Sequence, residues 1–367
     1  MEYLIILFVM VVLSVSFFDI TTMNFQIKGM VYGCLFMFML LICLFRRSDF
    51  GYDYGAYVDI FYASPSFDDL IVDNKNLDYR VEFVEKGFLL FLSIIKVFTT
   101  DSIYMFFITA FLSLGLYFSS IRKYTSLWYM GVLVYIAIAF FHKEVGQIRH
   151  GLAMAIMFYS LRYVVSEHYK KFICAYIISC FIHVSLLPSI IVLLYKKVYL
   201  SKNKIIFFIS FCCILYFTSN IQFFMYILEL LGIFDDRLFL VVSNPLLNAE
   251  MPIERIVLTT VLAFGAAIRY KAISKNNEYF NLGMMMTLIG LFFLCYFHEL
   301  KEFGQRLSAF FLLGQIIVIP ELFYRNRYFI LGWFFMLIIF SIYVYNVLNN
   351  EAFCGDSLRS FLYFFVY

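Results

Sequence analysis

Residues 102–141 read SIYMFFITAFLSLGLYFSSIRKYTSLWYMGVLVYIAIAFF. Two apolar runs, 102–121 and 127–141, flank one short basic turn, Arg122-Lys123. The first run matches the roughly 20 residues that a helix needs to cross a hydrocarbon core. Neither run alternates apolar with polar residues, so the dyad pattern of an outer-membrane barrel is excluded. The passage reads as two transmembrane helices joined by a cytoplasmic turn.

The same reading extends in both directions. The chain has 367 residues, 63% hydrophobic and 14% charged, whereas soluble domains run about 45–50% apolar and about 25% charged. One globular core cannot hide that much apolar surface, so the bilayer is the solvent for most of it. The 48 phenylalanines and 29 tyrosines suit lipid-facing and interfacial positions respectively. Further spans fall at 3–18, Gly29–Phe45, 205–231, 254–270, 279–297, 306–324 and 328–348. The run at 3–18 lacks a basic start and a small-residue cleavage site, and reads as a span rather than a cleaved signal. Residues 83–98 are apolar but short, and dip into the membrane or lie at its surface. Residues 142–165, HKEVGQIRHGLAMAIMFYSLRYVV, form a helix that carries charge into the membrane. The run 172–195 is interrupted by His183 and Pro188 and has lysines on both flanks, which suits a hairpin of half-helices. The expected architecture is all-α and polytopic, a single transmembrane domain over 1–367. It has about ten to twelve transmembrane helices plus short re-entrant helices.

Lysine and arginine placement sets the orientation. The turns at 122–123, 168–171, 196–204, 269–275 and 325–327 are basic and therefore cytoplasmic. Loops 46–87, 142–147, 232–253 and 298–305 then share the outer face. Loop 46–87, RRSDFGYDYGAYVDIFYASPSFDDLIVDNKNLDYRVEFVEKG, carries nine acidic against five basic residues and is rich in tyrosine; 232–253 is a second outer loop. The net charge of +3 is spread between apolar runs and implies no nucleic-acid partner. Seven of the eight cysteines sit inside apolar runs, as small hydrophobes, and no cysteine or histidine spacing suggests a metal site.

Three arginines reach the same outer face: Arg47 after the second span, Arg149 inside the charged helix, and Arg306 at the start of FGQRLSAFFLLGQ. Taken singly, each reads equally as a snorkelling or ion-paired arginine near a helix end. A charge near the bilayer interior costs roughly 2.5–3.5 kcal/mol on insertion scales, so it faces a cavity or a partner. Several guanidinium forks at one boundary suit an anionic head group, because they bind phosphate oxygens in pairs. Asp53 and Glu85 are the carboxylates nearest these arginines in sequence. Each is placed either to orient an arginine or a sugar hydroxyl, or to act as a general base. Asp59, Asp68, Asp69, Asp73 and Asp78 read as solvated loop residues. His183, His150 and His298 are further base or ligand candidates, and for His183 a structural hydrogen-bonding role weighs equally. Tyr57 and its neighbours suit sugar faces or interface packing. Gly151 and Ala155, four residues apart, open one face of the charged helix to close packing.

Arg47-x3-Gly51-x-Asp53-x3-Tyr57, Glu85-x-Gly87, Gln147-x-Arg149-x3-Ala153, His183-x-Ser185 and Arg306 follow one another along the chain. This order resembles the EpsG/Wzy group of bacterial polysaccharide polymerases, and the likeness covers most of the sequence. The resemblance implies a metal-independent glycosyltransferase of the lipid-linked-sugar type, without cofactor, in the bacterial inner membrane and acting at the periplasmic face. Its substrates would be undecaprenyl-pyrophosphate-linked oligosaccharides of an O-antigen or related surface polysaccharide. The growing glycan would pass to the non-reducing sugar of the next lipid-linked repeat unit. It further implies membrane lipids as surroundings, with a chain-length-regulating membrane protein and a flippase as partners. On this reading Arg47, Arg149 and Arg306 hold the pyrophosphate, and Tyr57, Gln147 and Gln305 help to place sugars. Asp53, Glu85, His183 and His150 are the catalytic candidates. A flippase for the same lipid-linked oligosaccharide and a glycan ligase are the competing readings. Charge gathered on one side, with no repeated halves, favours the enzyme over the flippase.

Overall fold

The computed structural model describes residues 19, 24–45, 53–67, 81, 84–219, 226, 251–275 and 277–324. The expected spans at 3–18 and 328–348, Arg47, much of loop 46–87 and most of loop 232–253 lie outside the described residues. Among the described residues every regular element is helical. Five helices are long and apolar enough to cross a membrane, or six if one bent pair is counted as a span. The chain is a membrane-embedded, polytopic, all-α protein.

Two compact units are present, Met1–Leu187 with Phe323–Tyr367, and Pro188–Leu322. The first holds helices α1 (Phe25–Leu44), α2 (Tyr54–Ala63), α3 (Lys86–Phe98), α4 (Ser102–Tyr124), α5 (Trp128–Tyr135), α6 (Ile148–Val165) and α7 (Tyr169–Ile182). Helix α4 is its axis, with α1, α2, α3, α5 and α6 packed on it. Asp101 starts α4 by accepting from the backbone N–H of Ile103 at 2.9 Å. Arg122 and Lys123 close it, where a cation meets the negative end of the helix dipole. Polar tips tie the bundle together from inside. Tyr32 in α1 donates to the carbonyl of Phe118 at 2.9 Å, and Tyr124 donates to the carbonyl of Tyr159 in α6 at 2.8 Å. At the basic turn, Lys28 and Arg122 each lie 4.9 Å from the Trp128 ring centroid, and Asp19 pairs with Lys28 at 3.0 Å.

Helix α5 runs without interruption into a wider, π-type winding over Ile136–Gly146, and the N–H of Gln147 donates five residues back to His142. Together they form the most interior of the candidate spans among the described residues, 83% buried within the protein. The expected charged helix from residue 142 is therefore divided. His142 to Gly146 finish this span, Gln147 breaks it with φ −95° and ψ 66°, and α6 starts afresh at Ile148. Close packing makes the restart possible. A Cβ on Gly151 would lie 2.8 Å from the Lys143 carbonyl, so only glycine lets α6 begin against the turn it has just left.

Helix α6 turns into α7 through Glu167, whose φ of 61° is the left-handed cap conformation common at helix ends. Helix α7 stops at His183, which is extended. The chain continues as a 3₁₀ run over Val184–Lys196 with Pro188 inside it. The break expected in 172–195 thus falls at His183. Helix α3 packs against α7, and Lys96 near its end donates to the carbonyls of Tyr62 and Ser64. Those are the open carbonyls at the end of α2, so one ammonium fastens α2 to α3.

The second unit holds α8 (Lys202–Thr218), α9 (Ile253–Ile273), α10 (Glu278–Tyr296), α11 (Lys301–Leu312) and most of α12 (Gln315–Phe323). Helices α8, α9 and α10 pack mutually, and α10 packs on α11. The stretch expected as one span over 306–324 is bent by 50° between α11 and α12. The bend falls at Gly314, which lies in contact with the backbone of Gly283 in α10. Buried Gln315 donates to Thr259 Oγ1 in α9 at 3.2 Å, which fixes α12 once the bend has been made.

Candidate active site

The polar residues of the first unit gather where four chain ends meet. These are the start of α3, the end of the π-type winding, the start of α6, and the junction of α7 with the 3₁₀ run. Helix ends leave backbone N–H and C=O groups without partners in their own helix, so side chains placed there find ready hydrogen-bonding companions.

Glu85 precedes α3 and does not cap it. Its side chain reaches instead to the far junction. Oε1 accepts from His183 Nδ1 at 2.9 Å and from the backbone N–H of Val184 at 3.2 Å. Oε2 lies 2.7 Å from Arg149 Nη1. The three side chains are 20%, 11% and 21% exposed for Glu85, His183 and Arg149 respectively. Burial by itself would raise the Glu85 carboxyl. The hydrogen bond from His183 and the charge of Arg149 outweigh it and hold the group at about 2. A carboxylate only accepts, so His183 carries its proton on Nδ1 and keeps a lone pair on Nε2.

Glu85 gets this close because of Gly87. A Cβ there would lie 2.5 Å from the Phe181 carbonyl oxygen, so the start of α3 can touch the last turn of α7 only where the side chain is missing.

His150 stands against His183 edge to face, with ring centroids 4.5 Å apart. Its Nδ1 is 2.9 Å from Lys143 Nζ, and its Nε2 is 3.4 Å from Ser185 Oγ. Lys143 also donates to Gln147 Oε1 at 2.6 Å. His150 is fully buried, whereas Lys143, Gln147 and Ser185 are partly exposed. Beneath them Glu144 is buried and accepts from Ser113 Oγ in α4, which pins the π-type winding to the axis helix.

Of the residues singled out in the sequence, Glu85, Arg149, His183, His150, Gln147 and Ser185 are brought together in this cluster. Asp53 opens α2 without capping it, and Tyr57 is buried with its ring edge-on to Phe88 at 6.2 Å. Arg306, Gln305 and His298 belong to the second unit. There Arg306 is exposed on α11 with Glu302 3.6 Å away, and Gln305 beside it is half-buried. His298 Nδ1 lies 3.1 Å from the Cys295 carbonyl and 3.2 Å from Ser219 Oγ. Among the described residues no three histidine, cysteine, aspartate or glutamate side chains gather as a metal-ligand set. Lys143 and Glu144 join the cluster without having stood out in the sequence. Lys143 stands four residues before Gln147 and seven before His150, the spacing of one helical face, and that signal was available.

Compared with models of known families, the chain matches the EpsG family over residues 29–364. No curated protein and no solved structure matches it.

Proposed function

The chain belongs to the EpsG family, and from that premise we propose that it polymerises a surface polysaccharide from lipid-linked repeat units. Family membership supports a polymerase role of the glycosyltransferase type in general. The finer reading rests on the Glu85–His183–Arg149 cluster. It names undecaprenyl-pyrophosphate-linked oligosaccharides as substrates, an inner-membrane setting and a site open to the periplasm.

Glu85 is a poor general base, because a carboxylate held at about 2 has little affinity for a proton at neutral pH. It is better fitted as a positioning residue, fixing the ring and tautomer of His183. His183 Nε2 then takes the proton from the acceptor sugar hydroxyl. As that oxygen bonds to the anomeric carbon of the growing chain, the bond from that carbon to the pyrophosphate oxygen breaks. The pyrophosphate leaves with its electron pair, and Arg149, held at the site's edge by Glu85, meets the charge that develops. A preorganised guanidinium in a partly dry site suits that task. Arg47 would add to it, and Asp53, Tyr57 and Gln147 would border the sugars.

The test is gel analysis of surface polysaccharide in a deletion strain complemented with wild type, Arg149→Ala, His183→Gln or Arg306→Ala, with membrane insertion checked by immunoblot. A ladder collapsed to a single repeat unit in the variants supports a polymerase. Unchanged long chains in Arg149→Ala and His183→Gln would sink the assignment. Loss of even the single-repeat glycan would transfer the reading to a flippase or a ligase.

A further inference from the structure

The two histidines of the cluster have partners of opposite character. His183 faces a carboxylate, which only accepts. His150 Nδ1 faces the ammonium of Lys143 at 2.9 Å, which only donates. The ring nitrogen opposite Lys143 must therefore supply a lone pair. That leaves the His150 proton on Nε2, which points to Ser185 Oγ at 3.4 Å. If Nε2–H donates to Ser185, the serine hydroxyl is used there as an acceptor, and its own proton is free to turn outward. Ser185 is partly exposed while His150 is fully buried, so only the outer end of this chain can meet a ligand.

The geometry points to Lys143 as a positioning residue that fixes His150 in its neutral Nε2–H form and thereby makes the hydroxyl of Ser185 a hydrogen-bond donor to the departing diphosphate. This deepens the polymerase reading and rests on it for the identity of the ligand. Lys143 is well placed to be rigid. Its ammonium is shared with Gln147 Oε1 at 2.6 Å, its carbonyl is packed against Gly151, and the neighbouring Glu144 is anchored by Ser113. The π-type winding ends at Gly146, just past Lys143, and the break at Gln147 brings Gln147 and His150 of α6 back within reach of its ammonium; such windings occur frequently at functional sites. One histidine is thus prepared to take a proton and its neighbour to pass on a hydrogen bond. Were both in the same tautomer, either the acceptor hydroxyl would lack a base or Ser185 would be turned inward.

Two measurements on the full-length protein in lipid nanodiscs test this. The first is the ring ¹⁵N spectrum of histidine-labelled resting protein, with the His150 signals assigned by their loss in His150→Gln. Wild type should show His150 protonated at Nε2 and bare at Nδ1, Lys143→Arg should preserve that, and Lys143→Met should populate the opposite tautomer. Lys143→Gln, whose amide donates or accepts, serves the same purpose should Lys143→Met not fold. The second is chain extension with a purified lipid-diphosphate-linked repeat unit. Lys143→Met and Ser185→Ala should each lower kcat by about tenfold to a hundredfold, with KM changed less than about threefold. The double variant should be no worse than the poorer single one. A wild-type His150 protonated at Nδ1, a tautomer unmoved by Lys143→Met, or losses that multiply in the double variant would overturn the proposal. Wild-type protein that shows the tautomer lock but extends no chain upholds the lock and removes the polymerase reading instead, so the two failures are distinct.

Discussion

Glu85 Oε1 and His183 Nδ1 lie 2.9 Å apart although 98 residues separate them in sequence. The bond joins the end of the acidic loop to the break in an apolar run, two places where the chain leaves regular helix. Arg149 meets the other oxygen of the same carboxylate at 2.7 Å. One half-buried acid therefore holds both a histidine and an arginine, and its own charge state decides whether either stays in place.

Glu85 is held at about 2 against an ordinary 4.5. Its value is depressed in the folded protein, so the stability it contributes is fully present above pH 4.5 and is lost as the pH falls toward 2. The gap is worth about 3 kcal/mol. We expect the melting temperature of wild type to exceed that of Glu85→Gln by a constant margin from about pH 5.5 upward, and the margin to shrink below about pH 4.5. Melting curves in detergent across that range check it. A margin that instead shrinks between neutral and alkaline pH would contradict the ion pairing.

Gly87→Ala should separate position from chemistry. The new methyl would stand 2.5 Å from the Phe181 carbonyl oxygen, a backbone atom that cannot swing aside, so the start of α3 must move. A shift of about 1 Å at a reacting group costs about a hundredfold in rate, and forced overpacking costs about 1–3 kcal/mol in stability. We expect near-complete loss of long chains from a protein that still inserts. Wild-type chain length in this variant would show that Glu85 need not approach His183.

Arg149→Lys keeps the charge and loses the fork. The lysine can still pair with Glu85 but cannot also present two parallel N–H groups to a phosphate. The variant should retain most of the stability of the wild type and lose about tenfold or more in chain extension. Thermal melting and single-turnover extension on the same preparation separate the two effects. Full activity would reduce Arg149 to a structural partner of Glu85.

In the second unit, Gly314→Ala should open the bend between α11 and α12. Its Cβ would press on the Gly283 backbone and lie 2.9 Å from Met286 Cβ. We expect a loss of about 1–3 kcal/mol, read as a lowered melting temperature. An unchanged melting temperature would mean that α10 has room to give.

The class of the fold was legible because apolar length and basic turns are properties of composition, and Arg122-Lys123 closes α4 where the sequence put it. The members of the site were also largely legible, since Glu85, Arg149, His150 and His183 are polar residues in an apolar chain. Their division of labour was not. Whether Glu85 is a base or a brace depends on what surrounds its two oxygens, and those neighbours come from α6 and from the α7 junction. Lys143 escaped for a different reason. The stretch 142–147 reads in sequence as an outer loop leading into a new helix, and the spacing of Lys143 to Gln147 and His150 does not show that the preceding span continues through it as a π-type winding. Gly151, which in sequence reads as a small residue for helix contact, is what lets α6 restart against the Lys143 carbonyl after the break at Gln147.

The span formed by α5 and the π-type winding has a wider consequence. It is the least apolar of the five candidate spans and the most enclosed, 83% buried, whereas the most apolar, α1, is only 33% buried. In a water-soluble domain the greasiest helix marks the centre. In the first unit the greasiest span, α1, is the one left most open to a solvent that is itself hydrocarbon, and the enclosed span is where Tyr129, Tyr135 and Glu144 are sheltered. A hydropathy trace of such a protein is best read upside down: its weakest crossing is the place to begin looking for chemistry.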